Sequence, residues 1–194
     1  MRQYYLQNGI ESEPLFDPNI LKALDFSKSK VIFDPPISVI DPGENLKVRP
    51  LCSGDYDRGY LKLLSFLTKV GDISRKQFLD RFHAMSSCKG MHYITVIEDT
   101  VSGQIIGSAT LAVEQKFIHD AGFRGRLEDV VVSDEYRGRQ LGKLLVETIR
   151  LLAEHVGCYK ITLDCRDRMV KFYKQLGFQL EEGNSNFMTV RFQD

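Results

Sequence analysis

The sequence predicts a single α/β domain, a mixed sheet with helices packed against it, preceded by a short N-terminal arm. Three observations carry this. LEDVVVSDEYRGRQLGKLLV, residues 127–146, passes from a β-branched run through an arginine- and glycine-rich turn straight into a helical pattern. HYITVIED and QIIGSATLAVEQKFI are β-rich runs separated by TVSG, a turn composition, and so read as an antiparallel hairpin. Strand-like and helix-like runs alternate after that, in the order expected of strands and helices sharing one core.

Taken in order, the chain up to about Asn45 is broken by Pro14, Pro18, Pro35, Pro36, Pro42 and Gly43, which defines residues 1–45 as the arm and 46–194 as the domain. Inside the arm, FDPNILKAL has Asp17 as an N-cap and Pro18 at the first helical position, followed by Ile20, Leu21 and Leu24, so a short packed helix is expected. LKVRPL alternates like a strand. Tyr60, Leu63, Leu64 and Leu67 recur at helical spacing within SGDYDRGYLKLLSFLTKV, and SRKQFLDRFHAM opens a second helix with Ser74 as its cap.

The hairpin comes next, then the strand Val130, Val131, Val132, whose branched side chains suit a pleated surface. Behind the turn, Leu141, Leu144, Leu145, Ile149, Leu152 and Val156 line one face of a helix, with Lys143, Glu147, Arg150 and Glu154 between them. YKITLDC reads as a buried strand, MVKFYKQLGF as a short helix, and NFMTVRF as a last strand.

Composition limits the function. A chain of 194 residues can bury a full core, roughly 70% of its unfolded surface for a domain near this size. Lys plus Arg and Asp plus Glu are 26 each, so no basic excess exists to hold a nucleic-acid backbone, and no nucleic-acid partner is expected. The start has no signal-like apolar run and no segment approaches the ~20 apolar residues of a membrane span. The sequence therefore reads as a cytoplasmic protein with no transmembrane segment, with peripheral membrane association left open. Cys52, Cys88, Cys158 and Cys165 lack CxxC spacing and read as packed thiols, and no metal site is expected.

The turn RGRQLG presents unpaired N–H groups at a helix N-terminus, where the macrodipole favours negative charge, so it suits a phosphate. It is not a P-loop: Gly138 and Gly142 are separated by three residues, and Lys143 is followed by Leu144 rather than a hydroxyl residue. Nor is it the glycine triplet of a dinucleotide fold. From the letters alone it reads equally as a polar turn capping a surface helix.

The wider pattern resolves that choice. VVVSDEYRGRQLGKLL resembles the acetyl-CoA-binding motif of the GNAT superfamily of N-acetyltransferases, Arg/Gln-x-x-Gly-x-Gly/Ala after a hydrophobic strand; Arg137 and Gly142 fit, and Gln140 replaces the first motif glycine. LFDPNILKAL, KFIHD, LEDVVVSDEYRG, YKITLDC and KFYKQLGF all resemble one branch, the glucosamine-6-phosphate N-acetyltransferases, in which glutamine is usual at that position. The resemblance runs from about Leu15 to Phe192.

It implies a GNAT fold, whose curved central sheet is splayed open so that the pantetheine arm of acetyl-CoA pairs with the backbone of Val130, Val131 and Val132. It places the pyrophosphate on the N–H groups of Arg139, Gln140, Leu141, Gly142 and Lys143, with Arg137, Arg139 and Lys143 as neutralising charges and Gly138 and Gly142 permitting close approach. Asp164 is implied as the carboxylate that receives or orients the amine, and Tyr173 as the phenol beside the CoA sulfur. An oxyanion donor near Val130 is implied as well.

Met169 stands where the branch commonly has an asparagine touching pantetheine, a bond methionine cannot make. For the sugar phosphate the resemblance implies Lys116, Phe117, His119 and Arg191, with Glu128 and Asp129 toward the ammonium and hydroxyls. It implies a homodimer with sites built from both chains. The reaction implied is acetyl transfer from acetyl-CoA to glucosamine-6-phosphate, on the path to UDP-N-acetylglucosamine, without a metal. Acetylation of another amine and a CoA-binding module without turnover are the competing expectations.

Overall fold

The computed structural model describes residues 5–7, 10–183 and 187–192. A two-stranded hairpin, β1 (Tyr5–Gln7) and β2 (Ile10–Ser12), precedes a five-stranded sheet of β3 (Leu46–Pro50), β4 (His92–Asp99), β5 (Ile105–Gln115), β6 (Phe123–Val132) and β7 (Cys158–Thr162), in that spatial order. All neighbours are antiparallel except β6 and β7, which are parallel, so the expected mixed sheet is present.

One face is covered by α5 (Leu141–His155), whose Leu144, Leu145, Ile149 and Leu152 are fully buried against Ile97, Ala109, Leu111 and Leu127. Leu145, Ile149 and Leu152 follow at four and three residues, with Leu144 beside them, so one helix stripe closes this half of the core. The other face is covered by α2 (Tyr60–Leu64) and α3 (Arg75–Ser87), which bring Tyr60, Leu63, Phe78 and Phe82 against Ile94, Val96, Ile105 and Val131. α3 starts at Ser74 as expected: Gln77 N–H donates to Ser74 Oγ at 3.3 Å, and Ser74 N–H donates to Gln77 Oε1 at 2.8 Å.

The arm packs on both halves. Asp17 caps α1 (Pro18–Lys22), accepting from Asn19 N–H at 2.9 Å, and Leu21 and Val39 enter the α5 side of the core. Leu15 enters the opposite side and donates its N–H to Leu51 O at 2.8 Å.

β7 was expected to be buried and is instead half-exposed, and two further elements differ from expectation. The run from Ser53 is a 3-10 segment (Ser53–Arg58) and then the single-turn-plus α2, because Gly59 at φ 77 breaks the helix between them. The break serves Asp55, whose carboxylate accepts from Arg49 NH1 and NH2 at 2.8 Å each while Arg49 Nε donates to Glu98 at 2.6 Å. Four charges, counting Arg58 on Glu98, thus neutralise one another inside the domain. The last expected strand is not formed: residues 187–192 have no strand pairing, and Phe187, Met188, Val190 and Phe192 are exposed. Asn186, its first residue, lies outside the described residues.

Candidate active site

Pairing between β6 and β7 runs from Phe123–Cys158 to Arg126–Thr162 and then stops, although β6 continues to Val132. β7 ends there, so the edge of β6 beyond Arg126 is free of it. On the β5 side the ladder shifts register between Ser108 and Thr110, opposite Asp129, whose φ of 53 marks a bulge. The extra residue reverses the alternation: Leu127 and Val130 face the α5 half of the core, while Val131 faces the α2–α3 half. Partial desolvation of the carboxyl, and then the neighbouring Glu128 charge, raise Asp129 above the usual range although the residue as a whole is exposed.

The free end of β6 leads into the phosphate-type turn. Gly138, at φ 79, and Gln140, at φ 59, are both left-handed, and the chain then enters α5 at Leu141. Among the described residues, the N–H groups from Arg139 to Lys143 have no protein acceptor. A Cβ added at Gly142 would touch only Val132 Cγ2, at 4.0 Å, so internal packing does not demand glycine there. The side chains are engaged elsewhere. Arg137 pairs with Asp134, Arg139 donates to Glu44 O at 3.1 Å, and Lys143 donates to Ile32 O. The turn thus offers anions chiefly its backbone donors.

Asp164 follows β7 directly, and Tyr173 lies on the next helix, packed against the α5 side of the core. Asp164, just past β7, is ion-paired with Arg126 NH2, and Arg126 Nε donates to Glu128 Oε1 at 2.7 Å. The Glu128 bond first, and Asp164 after it, raise the pKa of the guanidinium. Tyr173 on α6 (Val170–Gln175) packs edge-on to Phe172 at 5.1 Å and to Phe178 at 5.9 Å. Burial, and then nearby Cys165, push its phenol up, so the neutral donor form is favoured. Its hydroxyl has no hydrogen-bond partner among the described residues.

Lys116, Phe117 and His119 lie at the other end of β6 from this group. Lys116 pairs with Glu114 beside the β5–β6 turn. There α4 (Ile118–Ala121) is a single turn whose His119, Asp120 and Ala121 are left-handed, with His119 against Tyr159 at 4.2 Å and Phe117 fully exposed. Phe123 and Glu128 are five steps apart along β6, roughly 17 Å. Arg191 lies on the exposed 187–192 segment.

Arg126 was not among the sequence-predicted site residues. Its signal is the alternation of Arg124, Arg126 and Glu128, which share one face of β6. Among the described residues no group of three or more His, Cys, Asp or Glu side chains is placed to hold a metal ion, and no helix is long and apolar enough to cross a membrane.

A parallel pair that stops beside a bulge, with a strand–turn–helix beyond it, is the candidate acyltransferase site. Residues 62–178 match the acetyltransferase (GNAT) family, and the chain belongs to it. The chain is 56% identical over 185 residues, 95% of its length and 84% of the relative's, to a probable glucosamine 6-phosphate N-acetyltransferase of Drosophila melanogaster. It is 37% identical over 142 residues, 73% of its length and 88% of the relative's, to glucosamine 6-phosphate N-acetyltransferase 1 of Dictyostelium discoideum. The crystal structure of glucosamine-6-phosphate N-acetyltransferase from Arabidopsis thaliana superimposes with a TM-score of 0.73 at 36% identity, covering 77% of this chain and all of that one. Within the GNAT family the chain therefore falls in the glucosamine 6-phosphate N-acetyltransferase branch.

Proposed function

We propose that the protein transfers the acetyl group of acetyl-CoA to the amine of glucosamine-6-phosphate, giving N-acetylglucosamine-6-phosphate and CoA on the route to UDP-N-acetylglucosamine. The observation that carries this reading is the 56% identity to a probable enzyme of that activity over 185 residues. The edge of β6 left free of β7 supports it, because an extended pantetheine arm fits a strand edge with free backbone groups at Val130, Val131 and Val132. The diphosphate then meets the N–H groups from Arg139 to Lys143.

The amine nitrogen attacks the thioester carbonyl directly, its proton leaves to a base, and collapse of the tetrahedral intermediate expels the thiolate. Asp164, held by Arg126, orients the amine and takes up its positive charge. Asp129 and Glu128 lie beside it, and Asp129 is more basic than an ordinary aspartate. Tyr173, kept neutral by burial, donates to the departing sulfur. Backbone N–H at the bulge near Val130 receives the oxyanion. Residues 46–194 supply this chemistry, and residues 1–45 form an arm on it.

Lys116, Phe117 and His119 lie too far along β6 from Asp164 to share its site in one chain, and we assign them, with Arg191 of the exposed 187–192 segment, to the site of a second copy in a homodimer. The exposed Phe117, Ile118, Phe187, Met188, Val190 and Phe192 supply apolar surface for that contact. Lys116 and Arg191 would bind the phosphate through charge-assisted bonds. Free-thiol release with acetyl-CoA and a panel of amines tests the reading. Glucosamine-6-phosphate is the expected substrate, and turnover of peptides or polyamines alone would replace it.

A further inference from the structure

The arm reaches the phosphate turn by a route the sequence gives no hint of. Residues 31–36 lie across it, with Val31 and Phe33 packed on the α5 side of the core and Val39 buried just beyond. The Gln140 carboxamide grips this strap twice, accepting from Asp34 N–H at 3.0 Å and donating to Pro35 O at 3.1 Å. Lys143 donates to Ile32 O, and its ammonium lies 5.0 Å from the centre of the Phe33 ring. Arg139 donates to Glu44 O farther along.

Two features decide what this contact does. Gln140 sits at φ 59, a conformation that glycine adopts without strain and other residues adopt at a cost. A residue there must return something through its side chain, and among the described residues the side-chain bonds of Gln140 go to the strap. Meanwhile the strap takes side-chain donors and leaves the N–H groups of residues 139–143 untouched. It does not fill the anion site. It frames it.

We propose that residues 31–36 form one wall of the acetyl-CoA site, and that Gln140 is the positioning residue that holds this wall to the diphosphate-binding turn. The clamp fixes the left-handed turn that aims the N–H groups, and it keeps the Lys143 ammonium at the rim of the anion site, with Phe33 beneath it. The wall serves the nucleotide end of acetyl-CoA, remote from the amine. This rests on the acetyl-CoA reading above.

The test is calorimetric binding of CoA to the full chain and to Gln140→Gly, which keeps the turn unstrained and deletes only the clamp. The Kd for CoA and the KM for acetyl-CoA should both rise about tenfold, as expected for losing two hydrogen bonds, while the KM for the sugar phosphate stays put. Hydrogen exchange at residues 31–36 should slow when CoA binds the parent and slow less in the variant. Phe33→Ala, which leaves α5 intact, should shift Kd the same way and carries the test if Gln140→Gly folds poorly. A parent that binds CoA no better than these variants would overturn the wall alone. Tighter binding by the variants would overturn it in favour of an obstructing strap. A parent that did not bind CoA would overturn the acetyl-transfer reading and the wall together.

Discussion

Arg126 holds Asp164 at the point where β6 and β7 part: it is paired with Thr162 in the last register of the parallel ladder, and its guanidinium bridges Asp164 and Glu128. The residue that ends the pairing also fixes the carboxylate beyond it. Removing it should free Asp164 without opening the core, since Arg126 is partly exposed. Arg126→Ala is expected to lower kcat roughly ten- to a hundredfold, the worth of a charge-assisted bond, with Tm little changed and Arg126→Lys recovering part of the loss. Steady-state kinetics beside a thermal melt check this. An unchanged kcat would make the pair a surface ion pair only.

Tyr173→Phe removes one hydroxyl from a ring held between Phe172 and Phe178. Packing should survive, so Kd for CoA and Tm should hold while single-turnover acetyl transfer slows. If transfer keeps its rate, Tyr173 is a core residue and the thiolate is served elsewhere.

How much of this was legible in the sequence depends on range. The valine strand, the turn and the leucine face of α5 are local patterns, and each is where periodicity puts it. The caps at Asp17 and Ser74 are equally local. The bulge at Asp129 was not visible: three successive valines suit a strand buried on both faces, and the bulge depends on pairing with β5. The Arg126 bridge and the Gln140 clamp join residues 38 and more than 100 positions apart, which no spacing rule records. The last strand failed for a related reason: its alternation is real, yet a strand needs a neighbour, and one chain supplies none for residues 187–192.

Stability should fall in alkali. Burial raises the Cys52 thiol from 9.0 to about 11. A folded pKa above the unfolded one means that the contribution is complete below pH 9 and is lost as pH rises through 11. The shift corresponds to roughly 3 kcal/mol at most. Cys52→Ala should therefore flatten the unfolding free energy between pH 8 and 11, measured by urea titration. Burial also raises the Tyr60 phenol, so some slope will remain. An identical slope in the variant would show that Cys52 does not set it.

If the sugar site is shared between chains, an Arg191→Ala chain and an Asp164→Asn chain, each inactive alone, should regain activity when mixed and reassociated, because the heterodimer contains one native site. No recovery in dimers proven to have exchanged would place both residues in one chain's site.

The central claim is that this chain acetylates a phosphorylated amino sugar, and the most direct measurement is kcat/KM for glucosamine-6-phosphate against glucosamine, by thiol release from acetyl-CoA. A phosphate accepting several charge-assisted bonds of roughly 1.5–3 kcal/mol each should favour the phosphorylated sugar by two orders of magnitude or more. Lys116→Ala should erase much of that preference while leaving the slow reaction of bare glucosamine nearly as it was. Equal kcat/KM for the two sugars would contradict the account.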